Sequence, residues 1–542
     1  MKNNFKTILL FLVFNFLISF SIEANEEFVF DVTELEILEN GNLIIGSKKG
    51  KVIVNNGSII TANNFKYNKI SNILEAYGNV KFDNQLQEML IFSDQAVYDK
   101  NKEEISTYGN SKATNNGSII TANNFKYNKI SNILEAYGNV KFDNQLQEML
   151  IFSDQAVYDK NKEEISTYGN SKATNNNVKI NAENFIYNKP ADILNANNNV
   201  KIIDFSKDIK IFSQDITYKK KQEEIFSKGI TNALIENKYI FESKDVLFLR
   251  DIFELSSNEK TLVKDKELNQ YELDQFNYQI NKKFLKGKNV NITSFNDDKK
   301  KDKYFFSEGF FDLKNKSFVS KKTKIKLHKD VFENIEQDPR LYGVSSKGDN
   351  KETIINKGIF TSCKEGGNCP AWSIKSEKII HDKVKQNMVY KNAILKLYDV
   401  PVLYFPKFFH PDPSVERRSG FLQPQFNNSK ILGSSLYIPY FKVLSESKDL
   451  TFKPTIFKDN KYILQSEYRQ KTENSNLITD FAITKGYQAT IDKKKHERNS
   501  ISHFFLKYDY DLALKNYRKS LIQGKIERVS NGVTEVRGYR IK

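Results

Sequence analysis

The chain is poor in several residue types, and each scarcity narrows the kinds of protein it can encode. Its 542 residues include only 2 Cys, 5 His, 1 Trp and 10 Pro. A structural zinc site needs about four ligands, which two cysteines among scattered histidines do not supply. The sequence therefore predicts no metal site and no cofactor.

Two further absences bear on the class of protein. Beyond the N-terminus no apolar run is long enough for a transmembrane helix, so a membrane-embedded part would have to be a β-barrel. The chain also lacks the Gly-x-Ser-x-Gly and His-Glu-x-x-His motifs of common hydrolases. We expect no enzyme, and we interpret each histidine as a structural or surface residue (His328, His381, His410, His496 and His503).

An excess of basic residues has two readings. The net charge is +16, which would suit an anionic partner such as nucleic acid, phospholipid or lipopolysaccharide. Abundant Lys, Asn, Ile, Phe and Tyr with scarce Trp, Pro and Gly would also follow from AT-rich coding. Acidic residues are interleaved throughout and no basic stripe stands out, so nucleic-acid binding is not predicted.

The N-terminus has the pattern of an export signal. Lys2 and Lys6 precede the apolar core Ile8–Phe20, and residues 1–24 read as a secretory signal peptide cleaved after Ala24. Export would place the two cysteines in an oxidising compartment. We therefore expect a local disulfide between Cys363 and Cys369.

Internal repeats dominate the first half of the chain. Residues 55–114 recur letter for letter as 115–174, and a diverged copy at 175–234 keeps 25 of the 60 residues. The identity of the first two copies indicates either a very recent duplication or an assembly error in the sequence. Each copy also contains a half-repeat, in which equivalent tyrosines and glycines lie 31 residues apart.

The half-repeat has the alternation of a β-strand. From Leu74 to Phe82 apolar and polar residues alternate, and polar breaks suited to turns follow. We expect about four strands in each 60-residue unit. Gly78 becomes Asn198 in the third copy, and because Asn is the next-best residue at positive φ, a bulge or tight bend is predicted there.

One face of each unit is apolar and cannot be buried by that unit alone, so neighbouring units must stack. The result would be an elongated all-β stack with a continuous apolar interior. That interior is either only a core or a groove for lipid, and periodicity does not distinguish the two. The groove candidates are Leu74, Val80, Phe82, Leu134, Val140, Phe142, Leu194, Val200 and Ile202.

The second half combines prolines with strand patterns. Seven of the ten prolines fall between 401 and 454, yet Val400–Pro406 and Leu436–Phe441 alternate like strands. Because proline cannot donate to the ladder, such strands lie at edges or make weak seams. Later strands, such as Phe504–Leu514, have one apolar aromatic face, which is typical of transmembrane β-strands; a soluble β-sandwich remains the alternative.

The motifs around these prolines resemble the LptD (OstA) family of lipopolysaccharide-assembly proteins of the Gram-negative outer membrane. The most specific is Arg417-Arg418-Ser419-Gly420-Phe421, between Asp399–Pro406 and Ile438–Phe441. The Ala-Tyr-Gly-Asn-Val repeats are similar to the family's periplasmic domain. The resemblance covers nearly the whole mature chain.

The resemblance implies an all-β chain in which a periplasmic OstA-type β-jellyroll, open along one side, precedes the first strands of an outer-membrane β-barrel. Residues 25–340 would form the jellyroll, 341–400 a connecting β region containing both cysteines, and 401–542 the start of the barrel. The implied partners are lipopolysaccharide, an LptA-like periplasmic bridge protein, an LptE-like plug lipoprotein and the barrel-assembly machinery.

The implied mechanism assigns roles to both halves. Acyl chains would travel in the apolar interior, and the lipid would leave through a lateral barrel gate where the first strands, with Pro401, Pro406 and Pro424, pair weakly. We expect an outer-membrane location with a periplasmic N-terminal domain. The main alternative is a passive secreted β-repeat scaffold or adhesin that transports no lipid.

The sequence also departs from the family in the length of its barrel region. The 142 residues from Pro401 to Lys542 supply about seven or eight strands, and the family's barrel is larger. This predicts a truncated or frameshifted chain that diverges near Ser530.

Overall fold

The computed structural model describes residues 28–54, 57–175, 177–295, 301–327, 338–366, 370–412, 415, 417–429, 433–458, 461–485, 500–515, 520–530 and 535–541. About three quarters of these residues lie in antiparallel strands, which confirms the all-β fold class. The chain divides into two compact units. The first contains Met1–His328, Arg340–Lys378 and Leu395–Val400; the second contains Lys329–Pro339, Ile379–Ile394 and Pro401–Lys542.

The strands of the first unit run consecutively along the chain. They are β1 (Phe28–Leu38), β2 (Leu43–Val54), β3 (Ile59–Ala62), β4 (Asn64–Asn68), β5 (Ile73–Asn84), β6 (Met89–Asp99), β7 (Glu104–Asn115), β8 (Ser118–Asn128), β9 (Ile133–Asn144), β10 (Met149–Asp159), β11 (Glu164–Asn175), β12 (Val178–Asn188), β13 (Ile193–Asp204), β14 (Ile209–Lys219), β15 (Glu224–Ile235), β16 (Tyr239–Leu249), β17 (Glu254–Ser257), β18 (Thr261–Asp265), β19 (Gln270–Leu273), β20 (Gln275–Gln279), β21 (Phe284–Phe295), β22 (Lys301–Asp312), β23 (Ser317–Lys326), β24 (Arg340–Gly348) and β25 (Glu352–Thr361). Short 3-10 helices occupy Glu39–Gly41, Gln85–Gln87 and Lys220–Gln222.

The remaining strands begin with three, β26, β27 and β28, that have residues in both units. They are β26 (Trp372–Asp382), β27 (Asn387–Leu397), β28 (Val400–Pro411), β29 (Gly420–Phe421), β30 (Gln425–Ser429), β31 (Gly433–Tyr437), β32 (Tyr440–Ser445), β33 (Lys448–Phe457), β34 (Tyr462–Lys471), β35 (Ser475–Lys485), β36 (Ser500–Asp511), β37 (Leu521–Val529) and β38 (Glu535–Ile541). Within the described residues no helix is long and apolar enough to cross a membrane.

The repeats form the centre of the first unit's sheet. Copies two and three supply four strands each, β8–β11 and β12–β15. Copy one supplies β5, β6 and β7, with β3 and β4 together taking the place of its first strand. From β5 to β16 each strand pairs antiparallel with the next one in the chain. The expectation of about four strands per unit is confirmed.

A bulge interrupts each long strand of the repeats, β5 to β15, near its middle. In β5 the pairing moves from Tyr77 opposite Gln95 to Val80 opposite Ser93, so two residues are skipped on one strand and one on the other. The skipped residue Gly78 has φ 78°, and its counterpart Asn198 in copy three has φ 65°. The bulge predicted from the exchange of Gly for Asn is confirmed, because both residues tolerate positive φ.

The first unit has one continuous apolar core on the inner face of this sheet. It extends from Phe28 in β1 to Phe311 in β22. Aromatic rings pack against one another along this core; the rings of Phe142 and Tyr187 meet edge to face, with 6.1 Å between their centroids. Alternate residues of the same strands, such as Phe92 and Phe152, point outward and are exposed.

The second unit contains a ten-stranded antiparallel sheet, β29–β38, in which β32 to β38 pair in chain order. The structure corrects the expectation of one strand over Leu436–Phe441. That segment is divided between β31 and β32 at Ile438 and Pro439, because the proline has no N–H for the ladder. The backbone N–H of Ile438 is donated instead to Pro454 O over 3.1 Å.

Candidate functional site

The nine groove candidates all lie on the inner face of the rolled sheet. Their side chains are between 0 and 2% exposed. The structure therefore brings them together as predicted, and it places them in a packed interior. In this conformation they form a core.

The turns that join the strands form two rows, one at each end of the strands. The sheet is rolled so that these two rows meet along a line, which we call the seam. The first turn row comprises the connections at 85–88, 116–117, 145–148 and 205–208, and the second comprises those at 100–103, 129–132, 160–163, 189–192 and 220–223. The resemblance predicts a jellyroll with an open side. From about residue 84 to 283 the described structure closes that side with side-chain contacts between the two rows.

Buried tyrosines from the second row meet buried amides from the first. Tyr158 Oη donates to Asn115 Oδ1 over 3.1 Å, and Asn144 Nδ2 donates to Tyr187 Oη over 3.4 Å. In each pair the two residues are 43 positions apart. The same offset relates Tyr127 to Asn84 and Tyr218 to Asn175; burial raises the pKa of each tyrosine, and the asparagine side chain acts in the opposite direction. Because the rings belong to the core and the hydroxyls face the seam, each tyrosine satisfies both environments.

Lysines two positions after these tyrosines also cross the seam. Lys160 Nζ donates to Gln87 Oε1 over 3.3 Å, and Lys189 Nζ donates to the carbonyl oxygen of Asn116 over 2.7 Å. Lys220 Nζ donates to the carbonyl oxygen of Gln147. Each of the three bonds spans 73 residues and ends on a neutral oxygen.

Carboxylates replace these neutral acceptors further along the seam. Arg250 Nε is 2.7 Å from Asp204 Oδ2, and Lys283 Nζ is 2.9 Å from Glu236 Oε2. Burial opposes the charge of Arg250, but its hydrogen bond to Asp204 raises the pKa of the guanidinium. This end of the seam is therefore held by full ion pairs.

Around Glu103 in the second row a carboxylate is held in its charged form. Burial works against ionisation, but hydrogen bonds from Tyr98, Lys100 and Lys129 lower the pKa of Glu103 to about 2. Burial lowers the pKa of Lys129 in turn, and Glu103 partly offsets this. Burial also raises the pKa of Tyr127 to about 12, so the seam tyrosines are neutral donors at ordinary pH.

Sequence analysis did not identify the seam residues, although the signal was present. A Tyr-x-Lys triplet recurs about every 30 residues, at Tyr98, Tyr127, Tyr158, Tyr187 and Tyr218. The lysine position was interpreted as part of a polar turn. A turn lysine directly after a buried tyrosine differs from a solvated one, because its stem runs along the edge of the core.

The proline-containing strand β28 is apolar on both faces. Leu403 and Tyr404 are neighbours and so point to opposite sides of the strand, yet they are 55% and 59% exposed. Pro401 and Pro406 both lie in β28, as predicted. Pro424 lies between β29 and β30, so the expectation of a strand that contains Pro424 is wrong: the residues around it connect two short strands.

The Arg-Arg-Ser-Gly-Phe motif fixes its segment to the rest of the second unit. Arg417 binds the carboxylate of Asp449, which is 5% exposed and also accepts from Arg469 Nε over 2.8 Å. Arg418 Nη1 donates to the carbonyl oxygen of Gln386 over 2.9 Å. Ser419 Oγ accepts from the backbone N–H of Val443 over 2.9 Å.

The last two residues of the motif, Gly420 and Phe421, form β29. They pair with Phe441 and Tyr440 of β32, and the ring centroids of Phe421 and Tyr440 are 5.1 Å apart. The motif therefore acts as an anchor made of charge-assisted and backbone hydrogen bonds.

Of the two cysteines, Cys363 lies within the described residues. Cys363 lies just after β25, and its Sγ is 3.6 Å from the carbonyl oxygen of Trp372. Cys369 lies outside the described residues, so the disulfide remains a prediction. In the described part of the chain no group of three or more His, Cys, Asp or Glu side chains is arranged to hold a metal ion.

Comparison with known proteins gives two family matches at opposite ends of the chain. Residues 29–134 match the family model described as OstA-like protein, and residues 388–520 match the one described as LptD protein. The first match runs from the second residue of β1 to the second residue of β9, and the second covers the proline-containing strand and the arginine motif.

Curated relatives carry the name LPS-assembly protein LptD. The protein of Sodalis glossinidius is 32% identical over 138 residues, which are 26% of this chain and 17% of that protein. The protein of Idiomarina loihiensis is 27% identical over 177 residues, which are 31% of this chain and 22% of that protein. The protein of Escherichia coli K12 is 34% identical over 111 residues, which are 20% of this chain and 14% of that protein. The matched part of the chain thus spans between 14% and 22% of the length of these relatives.

Among solved structures, the chain aligns with the crystal structure of LptH from Pseudomonas aeruginosa. That protein is described as the LptA homologous periplasmic component of the conserved lipopolysaccharide transport device. The alignment has a TM-score of 0.20 and 14% sequence identity, and it covers 21% of this chain and 85% of LptH.

The chain is an all-β protein with an OstA-like N-terminal region. In its matched segments it is similar to the LptD proteins, as its motifs predicted.

Proposed function

We propose that the protein takes part in the transport and assembly of lipopolysaccharide at the outer membrane. The observation that supports this most is the presence, in one chain, of an OstA-like match at residues 29–134 and an LptD match at residues 388–520. In this proposal the first unit lies in the periplasm and accepts lipid from an LptA-like bridge protein. The second unit contributes strands to the barrel, with an LptE-like lipoprotein and the barrel-assembly machinery as partners.

The acyl chains occupy the interior of the rolled sheet, which opens along the seam to admit them. Transfer of an acyl chain from water into this interior gains about 0.8 kcal/mol per methylene. That gain offsets the loss of the seam hydrogen bonds, each of which contributes about 1 kcal/mol. Hydrogen bonds such as that between Tyr158 and Asn115 keep the interior closed and out of water when no lipid is present.

Photocrosslinking tests the proposal. A photoreactive amino acid at Phe82, which is buried, should crosslink to lipopolysaccharide in living cells, whereas one at the outward-facing Phe92 should not. Phe92 is a matched control because it lies opposite Lys81, the neighbour of Phe82, in the next strand. Equal crosslinking at both positions, or none at Phe82, would favour the passive scaffold or adhesin.

The lateral gate is tested separately. Pro401 and Pro406, which both lie in β28, would lower the number of ladder hydrogen bonds that must break when lipid leaves the barrel. Replacing both prolines with alanine restores the donors and should slow the appearance of lipopolysaccharide at the cell surface. Unchanged surface lipopolysaccharide in the double variant would exclude this role for the prolines.

A further inference from the structure

Three seam lysines carry charges that no carboxylate neutralises at close range in the described structure. The bonds of Lys160, Lys189 and Lys220 across the seam all end on amide or carbonyl oxygens. The nearest carboxylate oxygen paired with Lys189 is that of Glu163, at 4.0 Å. The side chain of Lys189 is only 7% exposed, and a cation so enclosed is costly when its carboxylate partner lies at the outer limit of ion-pair distance.

The three lysines are regularly arranged along the mouth of the seam. They occupy the turns after β10, β12 and β14, so consecutive lysines are two strands apart, or about 9–10 Å. Asn116, the acceptor of Lys189, directly follows Asn115, which accepts from the hydroxyl of Tyr158. Lys189 and Tyr158 therefore bind neighbouring residues on the opposite side of the seam.

The electrostatics change at the end of this segment. The next two cations of the seam after Lys220 are Arg250 and Lys283, which are matched by Asp204 and Glu236. At its other end Lys129 is matched by Glu103 over 3.1 Å. Among the described residues of the seam, the cations between these two ion-paired ends bind neutral oxygens across it.

We propose that Lys160, Lys189 and Lys220 form a binding site for the phosphate groups of an amphiphilic lipid while its acyl chains enter the interior through the seam. This inference rests on the proposed function and adds to it the position of the headgroup. When the seam opens, the lysines lose their neutral acceptors, and phosphate oxygens replace them with charge-assisted hydrogen bonds. The acyl chains of the lipid thus replace the core contacts that are lost on opening, and its phosphate groups replace the oxygens that the lysines lose.

The test uses the full chain in detergent and two probes: diphosphorylated lipid A and the same lipid after removal of its phosphates. The variant Lys160→Gln, Lys189→Gln, Lys220→Gln is compared with Lys112→Gln, Lys172→Gln, Lys228→Gln, whose lysines are exposed on the outer face of β7, β11 and β15. Both variants lose three positive charges. The seam variant should bind the phosphorylated lipid at least about tenfold more weakly than the control variant, because a bond to a charged group contributes about 1.5–3 kcal/mol.

The outcomes separate this inference from the function on which it rests. If the unmodified chain binds both lipids equally, or if the two variants lose equal affinity, the headgroup site is refuted and lipid transport stands. If the unmodified chain binds neither lipid, both proposals fail. Should the glutamine variant not fold, the triple Lys→Arg variant keeps the charges, and its preference for the phosphorylated lipid must equal that of the unmodified chain.

Discussion

Removing one hydroxyl from the seam measures how strongly the rolled sheet is held closed. Tyr158→Phe deletes the donor of the 3.1 Å bond to Asn115 Oδ1 and leaves a buried amide oxygen without that partner. Asn115 is 5% exposed, so water does not readily replace the lost bond. A buried polar atom left in this way costs about 1–3 kcal/mol.

The same chain supplies a matched control in Tyr137. Its hydroxyl donates to Glu135 Oε2 over 2.6 Å, but the side chain is on the outer face and 40% exposed. Tyr137→Phe removes the same atom from a position that water reaches, and exposed substitutions of this kind usually change stability by less than about 0.5 kcal/mol.

Native-state hydrogen exchange in β7 and β10 is the appropriate assay, because it reports local opening of the strands on either side of the seam. Tyr158→Phe should lower the opening free energy of both strands by about 1–3 kcal/mol, and Tyr137→Phe should leave it within about 0.5 kcal/mol. Equal effects of the two substitutions would refute the account in which the seam hydrogen bonds hold the sheet closed.

Three further predictions concern single residues. Gly138→Val should destabilise copy two by about 2 kcal/mol in thermal unfolding, because Gly138 has φ 75°. Gly138→Asn reproduces the residue that copy three has at this position, Asn198, and should cost about 1 kcal/mol less. Equal costs of the two substitutions would contradict the bulge argument. The depressed pKa of Glu103 adds stability that is present above its unfolded pKa of about 4.5 and lost as pH falls toward 2. Glu103→Gln should therefore flatten the fall in stability between pH 5 and 3 by about 1 kcal/mol once solvent screening is allowed for, and an unchanged pH profile would contradict this. Arg417→Ala should lower exchange protection in β33 by about 2 kcal/mol because it leaves a buried aspartate with one partner fewer, while Arg528→Ala, at an exposed arginine, should not.

Local features of this fold were predictable because they depend on neighbouring residues. Alternation from Leu74 to Phe82 assigns the inner face, and the exchange of Gly78 for Asn198 locates the bulge, since both follow from backbone sterics. The interruptions at Pro424 and Pro439 do not follow from the apolar alternation around them, because that alternation does not reflect the missing N–H of proline.

The seam could not be derived in the same way. Contacts such as Tyr158 with Asn115 join residues 43 positions apart, an interval that matches neither the 60-residue repeat nor its half. The offset is set by how far the sheet coils before its edges meet, which depends on twist and on the bulges acting together. Repeat spacing alone carries no information about that closure.

The central claim is that lipid opens the seam. Double electron–electron resonance tests it directly, because it measures the distance between two spin labels placed on opposite sides of the seam. Spin labels at Leu86 and Lys162, in a chain whose two native cysteines are replaced by serine, lie in exposed turns on opposite sides of the seam. A control pair at Lys102 and Lys162 has both labels in the second turn row. Addition of lipopolysaccharide should lengthen the distance across the seam and leave the control distance unchanged. An unchanged distance across the seam, in protein shown to have bound the lipid, would contradict the account.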